Sequence, residues 1–375
     1  MRDFALAPEV EELRASAERL GQRELAGNVR EAEKAGRWPA EVLAVLAGYP
    51  LGGLDLSAGL GGVEAGCLPK VVLLETLAAA DAGGLPAADQ PGPSAGAIEA
   101  CPDAALAEQV AASCLDGGAQ CVFTVVDPEV GSNEVDWAPA WPPPRWVWVS
   151  EAASLRLLEV TGEPRPSLAL AFQASGAVTI PFAATTERGA WELTPGVVLD
   201  LRGRARLWAA AVAIGVAQAA LEETIEYATE RVVFGKPVAH HQGNAFDLAA
   251  AAARVHGARL VVRDAAASFD REEPDAGFWA TQAWIETMEA AFTATNLGIQ
   301  LLGGHGFIVD HLAEKRFREA RMLALLAGGR DAAEWDVAAH VLDVPDPLMG
   351  SLHGTETGPE TGPKTGPKTG TEVRS

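Results

Sequence analysis

Cysteine, tyrosine, histidine and positive charge are all scarce in this chain. Its 375 residues include 4 Cys, 2 Tyr and 7 His, and 29 Lys plus Arg stand against 51 Asp plus Glu, a formal charge of −22. Cys67, Cys101, Cys114 and Cys121 show neither CxxC spacing nor a partnered histidine. That argues against a disulfide framework and for buried free thiols in a reducing cytoplasm. Only His240 and His241 are neighbours, and adjacent helix positions do not face one metal, so no metal chemistry is expected. The shortage of Lys and Arg argues against a nucleic-acid partner and against an anionic membrane surface. The longest apolar run, Leu207 to Leu221, contains Gln218 and falls short of the ~20 residues of a spanning helix, so it reads as a buried core helix. Met1 to Val10 carries Arg2, Asp3 and Glu9 and no apolar run, so no leader is expected.

Apolar residues are plentiful, at 48% with a mean hydropathy of +0.08. That suffices for a large core, and the length suggests two or three domains. Residues 1–120 read as helical. Val10, Leu13, Ala17 and Leu20 follow a 3.6 period, Pro39 opens a helix through Val42, Leu43 and Leu46, and Pro69 to Ala80 is helical again. Gly59-Leu60-Gly61-Gly62 breaks the pattern, and Gly83 to Ala95 reads as loop. Over 121–203 short β-branched runs recur at 121–126, 146–149, 155–160, 168–172, 177–180 and 197–201. Pro and Gly turns separate them, which suggests a small sandwich or barrel. Over 204–345 helices are expected near 204–231, 241–270, 275–302 and 310–326, a four-helix bundle. The tail, 346–375, repeats Thr-Gly-Pro and is expected to be a disordered linker. The fold class is thus mainly α with a β insert.

Three motifs occur in order along this frame. Tyr227-Ala228-Thr229-Glu230-Arg231-Val232-Val233-Phe234-Gly235-Lys236-Pro237, followed by His241-Gln242, resembles the YxxxRxxFGxxxxxxQ signature of acyl-CoA dehydrogenases. Ile299-Gln300-Leu301-Leu302-Gly303-Gly304-His305-Gly306-Phe307 resembles that family's IQxxGGxGY, with Glu314, Arg318, Glu319 and Arg321 where it shows ExxxRDAR. Asp127-Pro128-Glu129-Val130-Gly131-Ser132-Asn133 resembles its EPxAGSD turn. The resemblance spans residues 1 to about 340. It implies a helical N-terminal domain, a middle β-domain and a C-terminal bundle. It also implies FAD as cofactor, an acyl-CoA substrate and an electron-transferring flavoprotein as electron acceptor.

The resemblance also implies that Arg231, Phe234, His241, Gln242, Gln300, Gly303 and Gly304 bind an FAD that sits mainly on a neighbouring subunit. A guanidinium at a helix end suits a diphosphate, and paired glycines let backbone approach phosphate. The bland readings are a helix-end Arg, a helix C-cap and a core aromatic at Phe234. These enzymes remove an α-proton with a carboxylate, and the family places it at one of two positions. Here those positions are Ala327 and Ala205, so no catalytic residue is expected. Asp331 and Glu334 lie close downstream as candidate substitutes, and the bland reading of them is solvated carboxylates at a helix start. Val126 stands where the family has a Thr, and Trp146-Val147-Trp148 where it has Trp-Ile-Thr over the flavin. The chain's own flavin pocket is therefore expected to be impaired. These departures resemble the subunit without the catalytic Glu in heteromeric actinobacterial acyl-CoA dehydrogenases. The rival readings are a self-sufficient enzyme with an atypical base and a non-redox assembly protein.

Overall fold

The computed structural model describes residues 5–126, 132–168 and 170–342. The N-terminal helices are α1 (Pro8–Leu20), α2 (Val29–Ala35), α3 (Ala40–Ala47), α4 (Cys67–Asp81), α5 (Leu85–Ala88), α6 (Ala95–Glu99) and α7 (Ala104–Leu115). Pro8 opens α1 where its missing N–H costs nothing, and Glu9 and Glu11 complement the dipole. Asp103 caps α7 by accepting from Leu106 N at 3.1 Å. The stretch 83–95, expected as loop, instead folds into short helical turns that include α5 and the start of α6. Small residues there let the chain turn tightly while staying buried.

Two sheets follow. β1 (Gln120–Val126), β3 (Pro144–Glu151), β4 (Ser154–Val160) and β7 (Thr185–Glu192) form one, in the order β1-β3-β4-β7. β2 (Glu134–Ala138), β6 (Val178–Pro181) and β5 (Arg165–Pro166) form the other. β1 and β3 run parallel, and Trp148 of β3 opposes Leu157 of antiparallel β4. Strand alternation sorts the core of β3. Val147 and Val149 face Ile180 and Val135 of the second sheet, whereas Trp146 and Trp148 face Ile98, Cys114 and Leu201 on the helical side. The expected sandwich is therefore present, and its larger sheet is covered on both faces.

Two of the expected strands are corrected. Residues 197–201 are not a strand: α8 runs from Pro195 to Glu230, with Pro195 as its first helical residue. A proline at that position outweighs the β-branched pair Val197-Val198. The run 168–172 is irregular in its described residues. Leu168 is 88% exposed, and Phe172 takes a left-handed φ of 53°.

α8, α9 (Gln242–Asp270), α10 (Ala276–Leu302) and α11 (Ala313–Leu323) make the bundle, and α12 (Gly329–Leu342) follows as a fifth helix. Two stretches, Cys67–Ala88 and Pro195–Glu230, are long and apolar enough to cross a membrane, yet 78% and 89% of their apolar 18-residue windows are buried inside the fold. They are core helices. α4 and α8 meet at Gly215, where a Cβ would lie 2.2 Å from Glu75 O and 2.8 Å from Ala78 Cβ.

A pair of glycine substitutions tests this packing. Gly215→Ala should lower stability by about 1–3 kcal/mol by overpacking. Gly257→Ala, on the exposed face of α9 with nothing within 4 Å, should raise it by about 0.5–1 kcal/mol. Melting curves of both variants should therefore shift in opposite directions.

Candidate cofactor and active-site regions

The first region lies where α8 ends, α9 begins and α10 ends. Arg231 leaves the helix with φ −69° and ψ 117°, and its N–H donates to Tyr227 O at 2.9 Å. The chain then makes a hairpin of β8 (Val232–Val233) and β9 (Lys236–Pro237). Val238 N closes it by donating to Arg231 O at 2.8 Å. Both turn residues are left-handed, Phe234 at φ 50° and Gly235 at φ 81°, the signature of a type I′ turn. A phenylalanine in that conformation is strained by about 1–2 kcal/mol. Phe234 is 95% exposed, so the reading of it as a core aromatic is corrected.

His241 supports this hairpin from below. Its Nε2–H donates to Val233 O at 3.0 Å, and its ring meets Phe234 edge-on at 6.4 Å. Gln242 is the exposed first residue of α9. Gln300 is exposed on the last turn of α10, and Gly303, with φ 57°, ends that helix before Gly304. No atom stands within 4 Å of where a Cβ would be on Gly235, Gly303 or Gly304. Tyr227, one turn before Arg231, meets His305 through its hydroxyl, 3.3 Å from Nδ1. Beneath lies a small core of Leu221, Ala228, Val238, Leu248 and Ala251. All seven sequence-predicted residues therefore stand at one end of the bundle.

Arg231 is exposed and makes no ion pair among the described residues. A free guanidinium, an unobstructed glycine pair and an outward aromatic fit a dinucleotide's diphosphate and base. This bundle end accordingly fits one half of an FAD.

The second region is a cleft among the N-terminal helices, β1 and α8. It holds about 570 Å³ of space, partly open to solvent, lined by Pro86, Asp89, Gln120, Phe123, Trp137 and Trp208 among others. Its floor is ionic. Asp89, 1% exposed, accepts from Lys70 Nζ at 2.8 Å, Gly92 N at 3.2 Å and Trp208 Nε1 at 2.8 Å. Lys70 also reaches Asp55 at 3.0 Å. Burial pushes the Asp89 carboxyl up, against the pull of Lys70.

Ala205 and Ala327, the two positions where the resemblance puts a base, share one apolar cluster with Leu56, Ile98, Trp146 and Trp148. Ala327 is 6% exposed and left-handed at φ 53°. Neither methyl accepts a proton. Asp331 and Glu334 are exposed, and Glu334 pairs with Arg330 at 2.6 Å. Val126 lies between the two sheets, and Trp148 packs fully buried against Trp191 at 6.2 Å. Neither lines the cleft. Of the Asp127–Asn133 turn, residues 127–131 lie outside the described residues; Asn133 O accepts from Phe182 N at 2.8 Å.

Two further ionic clusters, like that of Lys70, join distant parts of the chain. Asp336 on α12 is buried between Arg202 (3.1 Å) and Arg206 of α8. Arg202 also donates to Ser150 Oγ at 3.1 Å, and Arg206 to Thr281 Oγ1 at 3.1 Å. Two arginines four apart in an apolar helix are the only local signal; their carboxylate is distant in sequence. Lys315 bonds both Asp81 and Glu319, and burial holds Glu319 up at about 7. Arg318 bridges Glu314 at 2.7 Å and Glu33 at 3.1 Å. The stretch resembling ExxxRDAR therefore ties α11 to the N-terminal helices. The cysteines are all free, with Cys101 only half-buried.

Comparison with known proteins agrees with this layout. Residues 7–110 match the acyl-CoA dehydrogenase N-terminal domain model and 197–342 the C-terminal domain model. Probable acyl-CoA dehydrogenase FadE25 of Mycobacterium tuberculosis is 27% identical over 372 residues, covering 87% of this chain and 93% of that protein. A glutaryl-CoA dehydrogenase from Mycobacterium smegmatis in complex with FADH2 superposes with a TM-score of 0.75 at 17% identity, covering 90% of this chain and 95% of that one. The Tcur3481-Tcur3483 steroid ACAD gives a TM-score of 0.77 at 21% identity, covering 89% and 98%. With both domain models matched in order around a β-sandwich, the chain belongs to the acyl-CoA dehydrogenase family.

Proposed function

We propose that this chain is the non-catalytic subunit of a hetero-oligomeric acyl-CoA dehydrogenase. It would work in the cytoplasm, in lipid or steroid catabolism. The observation that carries the reading is a contrast within one molecule. Both base positions, Ala205 and Ala327, are alanines inside a buried apolar cluster, while Arg231 and Phe234 stand exposed at the bundle end. The Tcur3481-Tcur3483 structural neighbour, named for a pair, is in keeping with a two-component assembly.

In this reading the partner is a homologous catalytic subunit in a heterotetramer. That subunit holds acyl-CoA and most of the FAD and passes electrons to an electron-transferring flavoprotein. FAD, when bound, supplies the hydride acceptor for α,β-desaturation of the thioester. This chain's own residues bind and orient. Arg231 offers a planar fork to the diphosphate, and Gly303 and Gly304 leave backbone accessible to phosphate. Gln242 and Gln300 supply amides, and His241 holds the hairpin through Val233 O. Phe234 exchanges solvent for a partner surface, which explains why a strained aromatic is kept at the tip. The cleft and the hairpin lie apart: the 23 residues from Trp208 to Arg231 extend roughly 34 Å along α8 at about 1.5 Å each. One chain cannot place both at the same phosphates.

The purified chain should accordingly carry well under one FAD, and the assembled complex should retain it. In that complex Arg231→Ala should weaken FAD retention roughly 10- to 100-fold, as expected for loss of a charge-assisted fork worth about 1.5–3 kcal/mol. Arg231→Lys should recover part of it. Flavin absorbance read beside chain melting decides the matter. One FAD per isolated chain would favour a self-sufficient enzyme, and a sharp drop in melting with FAD retained would make Arg231 structural.

Phe234→Gly relieves the left-handed strain, so the isolated chain should melt unchanged or up to about 1 kcal/mol more stable. Assembly with the partner, followed by gel filtration, should weaken. Assembly that stays intact would remove Phe234 from the interface.

Ala327→Glu should not create a dehydrogenase. The new carboxylate would enter an apolar cluster without a partner, at a cost of several kcal/mol. Lowered melting without acyl-CoA-driven dye reduction is the expected outcome. Dye reduction by that single variant would show that the cleft is otherwise competent.

A further inference from the structure

The turn after α10 carries a side chain that the shared-site reading leaves unused. Gly303, Gly304 and His305 form one short helical turn, which Gly306 N closes by donating to Gly303 O at 3.0 Å. Gly306 is buried, and a Cβ there would lie 2.4 Å from Ile299 O. The turn is therefore pressed against the end of α10, and close packing fixes its shape. His305 stands exposed on it, next in the chain to the unobstructed glycine pair.

The His305 imidazole belongs to a set of three rings. Tyr227 lies 6.1 Å from it and His311 5.8 Å, and His311 meets Tyr227 edge-on at 5.9 Å. His311 Nδ1 is 3.4 Å from Glu223 Oε1, which also accepts from Leu312 N at 3.2 Å, and Arg316 holds the other oxygen of that carboxylate. The rings are thus anchored to α8 on one side and to the start of α11 on the other. The Tyr227 hydroxyl is 3.3 Å from His305 Nδ1, the one acceptor it has among the described residues. A ring that accepts at Nδ1 carries its proton on Nε2. Nε2 has no partner among the described residues, so that N–H is free to donate. Tyr227 stands one helical turn before Arg231, roughly 6 Å of rise, so imidazole and guanidinium come to the same end of α8.

A free N–H beside exposed backbone and an unpaired guanidinium suits a phosphate oxygen. It does not suit a metal, since no group of three His, Cys, Asp or Glu side chains fit to hold one occurs among the described residues. We infer that His305 is a further residue of the shared cofactor site, donating from Nε2 to a phosphate oxygen of the FAD, and that Tyr227 is the residue that positions it. The assignment rests on the shared-site reading and adds to it a donor from the turn after α10. It also accounts for the tyrosine that opens the motif ending in Arg231, Phe234 and Gly235, which that reading leaves without a role.

FAD binding by the assembled complex tests it, read by flavin fluorescence beside chain melting and gel filtration, with Arg231→Ala as the reference for the site. His305→Leu keeps the bulk and loses the donor, and should weaken FAD binding about 3- to 10-fold, the range of one hydrogen bond. His305→Gln keeps a donor and should recover part of that. Melting and assembly should not change in either. Tyr227→Phe keeps the ring and removes the hydroxyl. It should weaken FAD binding about 2- to 5-fold when His305 is present and add nothing to His305→Leu. If His305→Leu melts low, His305→Ala takes its place with the same expectation, and low melting in both makes His305 structural and overturns the assignment. Equal loss in His305→Leu and His305→Gln overturns it too, and a Tyr227→Phe effect of one size with and without His305 removes Tyr227 as the positioning residue. Loss in Arg231→Ala with none in His305→Leu leaves the shared site standing and takes His305 out of it. No loss in either variant removes the shared site itself, and this assignment with it.

Discussion

The burial of α8 on every side is the constraint on which the rest depends. Its middle is built of small residues, so α4 can approach to backbone contact at Gly215 while α9 and α10 cover the remaining faces. A helix so enclosed has few ways to tilt or slide. Every functional feature hangs from it at a fixed height. Near its start Arg202 and Arg206 grip Asp336, and Ala205 faces the apolar cluster. Farther along Trp208 anchors Asp89. At its end Arg231 turns out into the hairpin. Packing thus converts positions in sequence directly into distances in space.

Charge inside this core follows one pattern. Lys70 with Asp55 and Asp89, the two arginines with Asp336, and Lys315 with Asp81 and Glu319 each join elements distant in the chain. Desolvation offsets much of the attraction in such clusters, so their main effect is to fix which elements meet. A carboxylate at 205 or 327 would have no such partner. The base of a dehydrogenase is a buried acid kept deliberately unpaired, and that is the kind of group absent from both positions.

Legibility in the sequence tracked how local each signal is. The hairpin and the Gly303-Gly304 turn are short motifs, so their residues were nameable before any coordinates. Helices with one wet face were readable by period. α8 is readable from residue 204 onward, but its start is not, because its first turn, with Val197-Val198, resembles a strand. β2 and β7 carry charged and exposed residues that mask alternation. Asp336 was invisible as a site because its arginines lie 130 or more residues away. Of the two readings of Phe234, the core aromatic fails because hydrophobic character alone does not distinguish a core residue from a contact surface.

The separation of the two regions along α8 gives the proposed division of labour a physical basis. Contacts at the bundle end depend on the hairpin, the start of α9 and the end of α10. They do not depend on the cleft. Replacing a catalytic acid by alanine near the other end removes an unpaired buried charge, and by that measure stabilises the fold. The same change leaves Arg231, Phe234 and the glycine pair where they were. A chain of this architecture can therefore lose its own chemistry without losing what it offers a neighbour.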